Sequence, residues 1–217
     1  TTSRGSRAPS ARSPPCPATW IARGPSCSGH RDAARADSRP HLHAFGNTHY
    51  WLDPENARPI TALIRDALTD LAPADAVRFA ANRERFVARL DGGLARWRQR
   101  LAPFAGTRLV AAHDTWTYLA HRFGLEVVAT IEESPGVPPS PAYLGQLMDR
   151  MKRSGVRVIV AEPGAPAAIL RRVADGTGAR VVTLAPSVGS DPAASDYLAL
   201  FEVNVGRLAT ALAAPAR

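Results

Sequence analysis

Four runs rich in Val, Ile and Ala recur after residue 107, and each is followed by a stretch of helical spacing. They read RLVAA (108–112), LEVVATI (125–131), VRVIVAE (156–162) and ARVVTLA (179–185). Runs so nearly uninterrupted belong to strands covered on both faces, and their alternation with helices makes neighbouring strands parallel. The pattern predicts an α/β fold: a parallel four-stranded sheet with helices on both faces, spanning residues 104–217. The intervening helices are expected at 113–123 (closed by Gly124), from Ser140-Pro141 through Arg153, at 165–175, and from about 191 to 213. The segment ESPGVPPSP (133–141) reads as a stiff loop.

Two helices precede the sheet. Asp53-Pro54-Glu55 is a helix start, with Asp as N-cap, Pro at the first position and an acid in the first turn. Ile60, Leu63, Ile64, Ala67, Leu68 and Leu71 follow at helical spacing, and Pro59 is expected to bend this helix. Pro73 opens a longer helix that Pro103 closes. Phe79, Phe86, Leu90, Leu94, Trp97 and Leu101 mark its buried stripe. About 30 residues at 1.5 Å each give roughly 45 Å. Gly92-Gly93 is a weak point in its middle.

Residues 1–40 read differently. They hold seven Ser, six Pro and seven Arg, and among Val, Leu, Ile and Phe only Ile21. Such a segment buries too little apolar surface to offset its ordering entropy, so it is expected to be a disordered tail. It carries seven basic and two acidic residues, which is +5 of the chain's net +8. With the excess charge in the tail and no basic stripe beyond it, nucleic acid is not expected as a partner. Cys16 and Cys27 both lie in the tail, which excludes thiolate metal sites and cysteine nucleophiles from the rest. There is no run of 18 or more apolar residues, so no membrane-spanning helix is expected. Nor does an apolar segment follow the first residues, so no secretory signal is expected.

Ligands of parallel α/β sheets bind outside the carboxyl ends of the strands. His113 follows the first run, Glu162 ends the third, and Ser187, Ser190 and Asp191 follow the fourth. His49 lies in the turn before the Asp53 cap. Two imidazoles and a carboxylate converging in one cleft would suit Zn²⁺ or Mn²⁺. Each also has a plain structural reading. A strand-end His is often a hydrogen-bonding residue, Glu162-Pro163 caps a loop equally well, and Trp51 and Trp116 read as core. His121 stands eight residues after His113, about 12 Å along a helix and too far to share its ion. Dinucleotide, P-loop, GxSxG and HExxH motifs are absent.

The blocks GNTHYWLDPENA, LVAAHDTWTYLAHRFGLEVV, PPSPAYLGQLMDRMK, VIVAEP and DYLALFEVNVGRLATAL resemble, in this order, the zinc/manganese solute-binding proteins of metal ABC importers. The resemblance covers about residues 41–217. It implies two α/β lobes joined by a long rigid helix, with the metal held between them. Residues 41–72 would then be a remnant of the N-terminal lobe, 73–103 the linking helix and 104–217 the C-terminal lobe. His49 and His113 match family ligands, and an imidazole at 113 looks zinc-like where a carboxylate would look manganese-like. The implied function is delivery of Zn²⁺, less readily Mn²⁺, to an ABC transporter permease, by a monomer without catalysis. The implied location is the periplasm or the outer face of the cytoplasmic membrane.

Two departures from the family pattern stand out. A ligand Asp is expected in a Leu-Asp-Pro after the last strand, but the chain has Leu184-Ala185-Pro186. Glu162, Asp191 or water would replace it, or the site is open. An earlier lobe should supply another His, yet residues 1–40 do not resemble that lobe, which leaves His43, six residues before His49, as the candidate. The alternatives are an α/β metallohydrolase with Glu162 as general base on a zinc-bound water, and a non-functional truncated fragment.

Overall fold

Asp53 follows a 3-10 turn, Tyr50–Leu52, and caps the next one. This computed structural model describes residues 47–134 and 136–215; the expected tail at 1–40 and His43 lie outside the described residues. The Asp53 carboxylate accepts the Glu55 N–H at 3.0 Å, and a 3-10 turn, Pro54–Asn56, leads into helix α1, Ala57–Leu71. Pro59 falls in the first turn of α1, where an N–H would have no intrahelical partner. It therefore sits there without removing a helix hydrogen bond, and the expected bend has no cause.

A further 3-10 turn, Pro73–Asp75, opens helix α2, Ala76–Leu101, and another, Ala102–Phe104, closes it. The regular part is 26 residues, about 39 Å. Gly92-Gly93 does not break it. A side chain at Gly93 would meet the Trp97 ring at 2.8 Å, so this glycine makes room for a buried tryptophan one turn on. Leu90, Leu94, Trp97 and Leu101 are buried, whereas Phe79 and Phe86 are only half-buried.

The sheet holds β1 (Arg108–Ala111), β2 (Glu126–Thr130), β3 (Val158–Ala161) and β4 (Arg180–Thr183), in the order β2-β1-β3-β4. All pairs are parallel. Alternate residues serve opposite layers. Leu109, Val158 and Val160 pack with α2, with α3 (Thr117–Arg122) and with α6 (Tyr197–Ala213). Val110 and Ile159 pack with α4 (Pro141–Ser154) and α5 (Ala167–Thr177). The expected α/β architecture, with a parallel four-stranded sheet covered on both faces, is the one found.

Two helices start later than their spacing suggests. The expected helix at 113–123 is only Thr117–Arg122. Residues 112–116 form a loop in which the Thr117 hydroxyl donates to the Asp114 carboxylate at 2.6 Å and Trp116 turns into the core. Local side-chain bonds of this kind compete with helix. The last helix starts at Tyr197 instead of about 191, because Asp196 is its N-cap and accepts the Ala199 N–H at 2.8 Å. No helix among the described residues is long and apolar enough to cross a membrane.

Candidate metal centre

The strand order fixes where a ligand can sit. From β1 the chain moves to one side for β2, then crosses back for β3 and β4, so the switch point lies between β1 and β3. The ladder continues past the strands. Ala112 N–H donates to Val160 O at 2.7 Å, Ile131 N–H to Ala111 O at 2.8 Å and Glu132 N–H to Ala112 O at 3.0 Å. His113, Glu132 and Glu162 are thereby delivered side by side at the carboxyl ends of three adjacent strands. Nε2 of His113 stands 2.9 Å from a Glu132 carboxylate oxygen.

His49 reaches the same place from the other end of the sequence. Its turn is strapped to the sheet by the residues around it. Trp51 Nε1–H donates to Pro186 O at 2.9 Å, and Trp51 O accepts the Tyr197 hydroxyl at 2.7 Å. Asp53 takes two hydrogen bonds from Arg122, at 2.6 and 2.7 Å. The Tyr118 hydroxyl donates to Asn47 O at 3.0 Å. Burial, and then the nearby Asp53 charge, push the Tyr197 phenol far above its usual range; burial does the same, more mildly, for Tyr118. Both phenols therefore stay protonated and keep donating. The hydrogen bond to Asp53 raises the Arg122 guanidinium further still, so this strap keeps its charge.

Asn47 also sets the tautomer of His49. Its Nδ2 donates to Asp114 O at 2.8 Å, so its Oδ1 is the acceptor for the His49 N–H at 2.9 Å. The same oxygen is 2.9 Å from His49 Nδ1, which must then carry a proton. An amide oxygen on Nδ1 orients the ring in the way that supports a metal-binding imidazole. The His49 and His113 rings are nearly perpendicular, with centres 6.1 Å apart. Two imidazoles on one tetrahedral ion would bring those centres to about 5 Å, given metal–nitrogen bonds of about 2.0–2.1 Å. The pair is about 1 Å too open. Consistently, no three His, Cys, Asp or Glu side chains among the described residues are already closed around one point.

A cleft of about 580 Å³ contains His49, His113, Glu132 and Glu162, with Trp51 and the Pro138-Pro139 turn in its wall. Oε1 of Glu162 is buried without a hydrogen-bond partner, the kind of atom a bound cation would satisfy. The structure thus places the capped-turn candidate His49 and the strand-end candidates His113 and Glu162 in one cleft. Trp116 is core, as expected, but Trp51 lines the cleft and is only partly buried. Asp191 is turned elsewhere. The Ala193 N–H and the Arg207 guanidinium, 2.6 Å away, hold its carboxyl below the usual carboxylate range. Ala185 is wholly buried, its N–H and C=O each bonded to the Asn204 side chain at 2.8 Å. Glu132 had a readable signal: it stands two residues beyond β2 as His113 stands two beyond β1.

A long helix leading into a doubly covered parallel lobe, with a histidine turn strapped over its switch point, is the architecture of metal solute-binding proteins. Residues 18–211 match the family model of ZnuA, the periplasmic component A of the zinc-uptake complex, and the chain belongs to that family. The match begins at 18, well inside the segment read above as unlike the family. The high-affinity zinc uptake protein ZnuA of Brucella abortus (strain 2308) is 30% identical over 138 residues, which are 64% of this chain and 41% of that protein. The zinc-binding protein AdcA of Streptococcus pyogenes serotype M6 is 26% identical over 77% of this chain and 33% of its own length. The chain thus spans less than half the length of these relatives. Among solved structures, the solute-binding protein FpvC of Pseudomonas aeruginosa in complex with Mn²⁺ superposes with a TM-score of 0.67 at 27% identity, over 76% of this chain and 61% of that one. The family is one of solute-binding components, not of enzymes.

Proposed function

We propose that this chain carries Zn²⁺, and less readily Mn²⁺, on the outer side of the cytoplasmic membrane and hands it to the permease of an ABC importer. In this reading residues 41–72 belong to an N-terminal lobe, 73–103 to the linking helix and 104–217 to the C-terminal lobe. The ion is held by His49 and His113, with Glu162 at the floor of the cleft; His43, the further sequence candidate, lies outside the described residues. One observation carries the proposal: two imidazoles from distant parts of the sequence, one of them oriented by Asn47, face each other across the switch point with ring centres 6.1 Å apart. Imidazole donors favour zinc over manganese. The relatives named for zinc support that order, and the Mn²⁺ complex of FpvC supports manganese as second choice. The chain performs no catalysis, and family membership stands against a hydrolase that would use Glu162 as base.

Zinc titration of the full chain tests this. His49→Ala and His113→Ala should each weaken binding at least tenfold without loss of helical signal. His121→Ala should bind as the parent does, because His121 is exposed and is not among the residues lining the cleft. If all three titrate like the parent, these histidines are structural and the carrier reading is wrong.

A further inference from the structure

Resting on the carrier reading above, we propose that Glu132 is the carboxylate ligand of the metal. It takes the charge-neutralising role that an aspartate after the last strand cannot fill in this chain, where Ala185 stands. Two neutral imidazoles leave a divalent ion with its full charge, and an ionised carboxylate would remove half of it. Ala185 supplies no donor, and Asp191 is held by Arg207 at 2.6 Å. Among the described residues two carboxylates line the cleft, Glu132 and Glu162.

Distance favours Glu132. Its Oε2 lies 2.9 Å from His113 Nε2. Two donors on a tetrahedral zinc, each bonded at about 2.0–2.1 Å, lie about 3.3 Å apart. An ion can therefore take the place of the proton between this nitrogen and this oxygen, which is released to solvent, if the two atoms separate by only about 0.4 Å. The side chain is also pre-positioned. Its other oxygen accepts the Gly136 N–H, and its backbone carbonyl accepts the Thr130 hydroxyl at 2.8 Å. One carboxylate oxygen is thus occupied in holding the group, and the second faces the imidazole. Because Glu132 N–H continues the ladder to Ala112 O, the oxygen and the imidazole rise from neighbouring rails of one sheet and keep their spacing. Glu162 is tied only through its backbone carbonyl, which accepts the Ala165 N–H at 3.2 Å, and no tie of this kind holds its carboxylate. Its orphaned Oε1 is a reason for the ion to be near, not a ready bond to it.

The test uses the full chain with Zn²⁺ alone, then Co²⁺ as a coloured substitute, on the parent, Glu132→Gln, Glu132→Asp, Glu162→Gln and His113→Ala. Glu132→Gln keeps the shape and the acceptor for Gly136, so it should hold its fold. It should weaken zinc at least tenfold and, at saturating Co²⁺, change the visible spectrum. Glu132→Asp, shorter by one methylene, gives a second folded variant and should also bind more weakly. Glu162→Gln should stay within threefold of the parent. Weakened binding with an unchanged Co²⁺ spectrum in Glu132→Gln would make Glu132 a positioning residue and overturn direct ligation. Parent-like zinc binding in Glu132→Gln, with binding lost in His113→Ala, would sink the ligand assignment and leave the carrier reading standing. A parent chain that binds no zinc would remove both.

Discussion

The sheet with its covering helices and the helix pair ahead of it are built from equally periodic sequence, yet they bury it very differently. In the sheet region the apolar positions of β1 and β3 and the inner face of α6 are shut away from water. In α1 the stripe is there, but Leu63, Ile64 and Leu68 are exposed, and Leu71 is 83% exposed, as is Val77 on α2. Burial along α2 rises from its first half to its second, where Leu90, Leu94, Trp97 and Leu101 meet α6. Periodicity tells which face of a helix seeks cover. It does not tell whether the cover lies in the same residues.

The largest effect is expected where the two regions join. Trp97 is 1% exposed, its ring stacks toward Phe201 at 5.2 Å, and its Nε1–H donates to Glu202 at 2.7 Å. Trp97→Ala should cost about 3–5 kcal/mol in chemical denaturation of the full chain, through the cavity it leaves. A loss under about 1 kcal/mol would mean that α2 is not part of the cooperative unit formed by the sheet.

The sheet was legible because parallel strands buried on both faces leave long Val/Ile runs, and no other fold class uses them so regularly. His49, His113 and Glu162, which the structure places in one cleft, could be picked out because strand ends and a capped turn are local features. Glu132 was not found. Its place two residues past a strand end was readable, but the loop after β2 read as prolines, and its partnership with His113 depends on the pairing of β1 with β2, which the sequence does not display. The strap residues were hidden for the same reason. Trp51 looked like core because a tryptophan's contact with Pro186, 135 positions away, has no sequence signature.

An intermediate effect is expected at the strap itself. Asp53 is buried, caps the turn before α1 and takes both Arg122 hydrogen bonds. Asp53→Ala removes a cap worth about 1 kcal/mol and leaves Arg122 without its partner. Arg122 keeps 29% of its side-chain exposure, so water compensates in part, and the total should be about 2–3 kcal/mol. Zinc affinity should fall several-fold along with it, because the His49 turn loses one of its ties. Unchanged zinc affinity at reduced stability would separate the turn's anchoring from the site.

The smallest effect is expected on the exposed stripe, and it tests the comparison most sharply. Leu71→Gln replaces an 83% exposed side chain by one of nearly equal helix propensity. With no buried area to lose, the change should stay within about 0.5 kcal/mol. Leu90→Ala, at a fully buried position of α2, should cost about 2–5 kcal/mol in the same assay. The contrast between the two leucines measures how much of the helix pair is covered in this chain. If Leu71→Gln costs more than about 1 kcal/mol, something lies over the stripe in solution. A cost that grows with protein concentration would identify that cover as a second molecule, since only association depends on concentration. A cost independent of concentration would assign the cover to residues of the same chain. A negligible cost at every concentration leaves α1 a helix held by its partner α2 and by its Asp53 cap, with its apolar face turned to water.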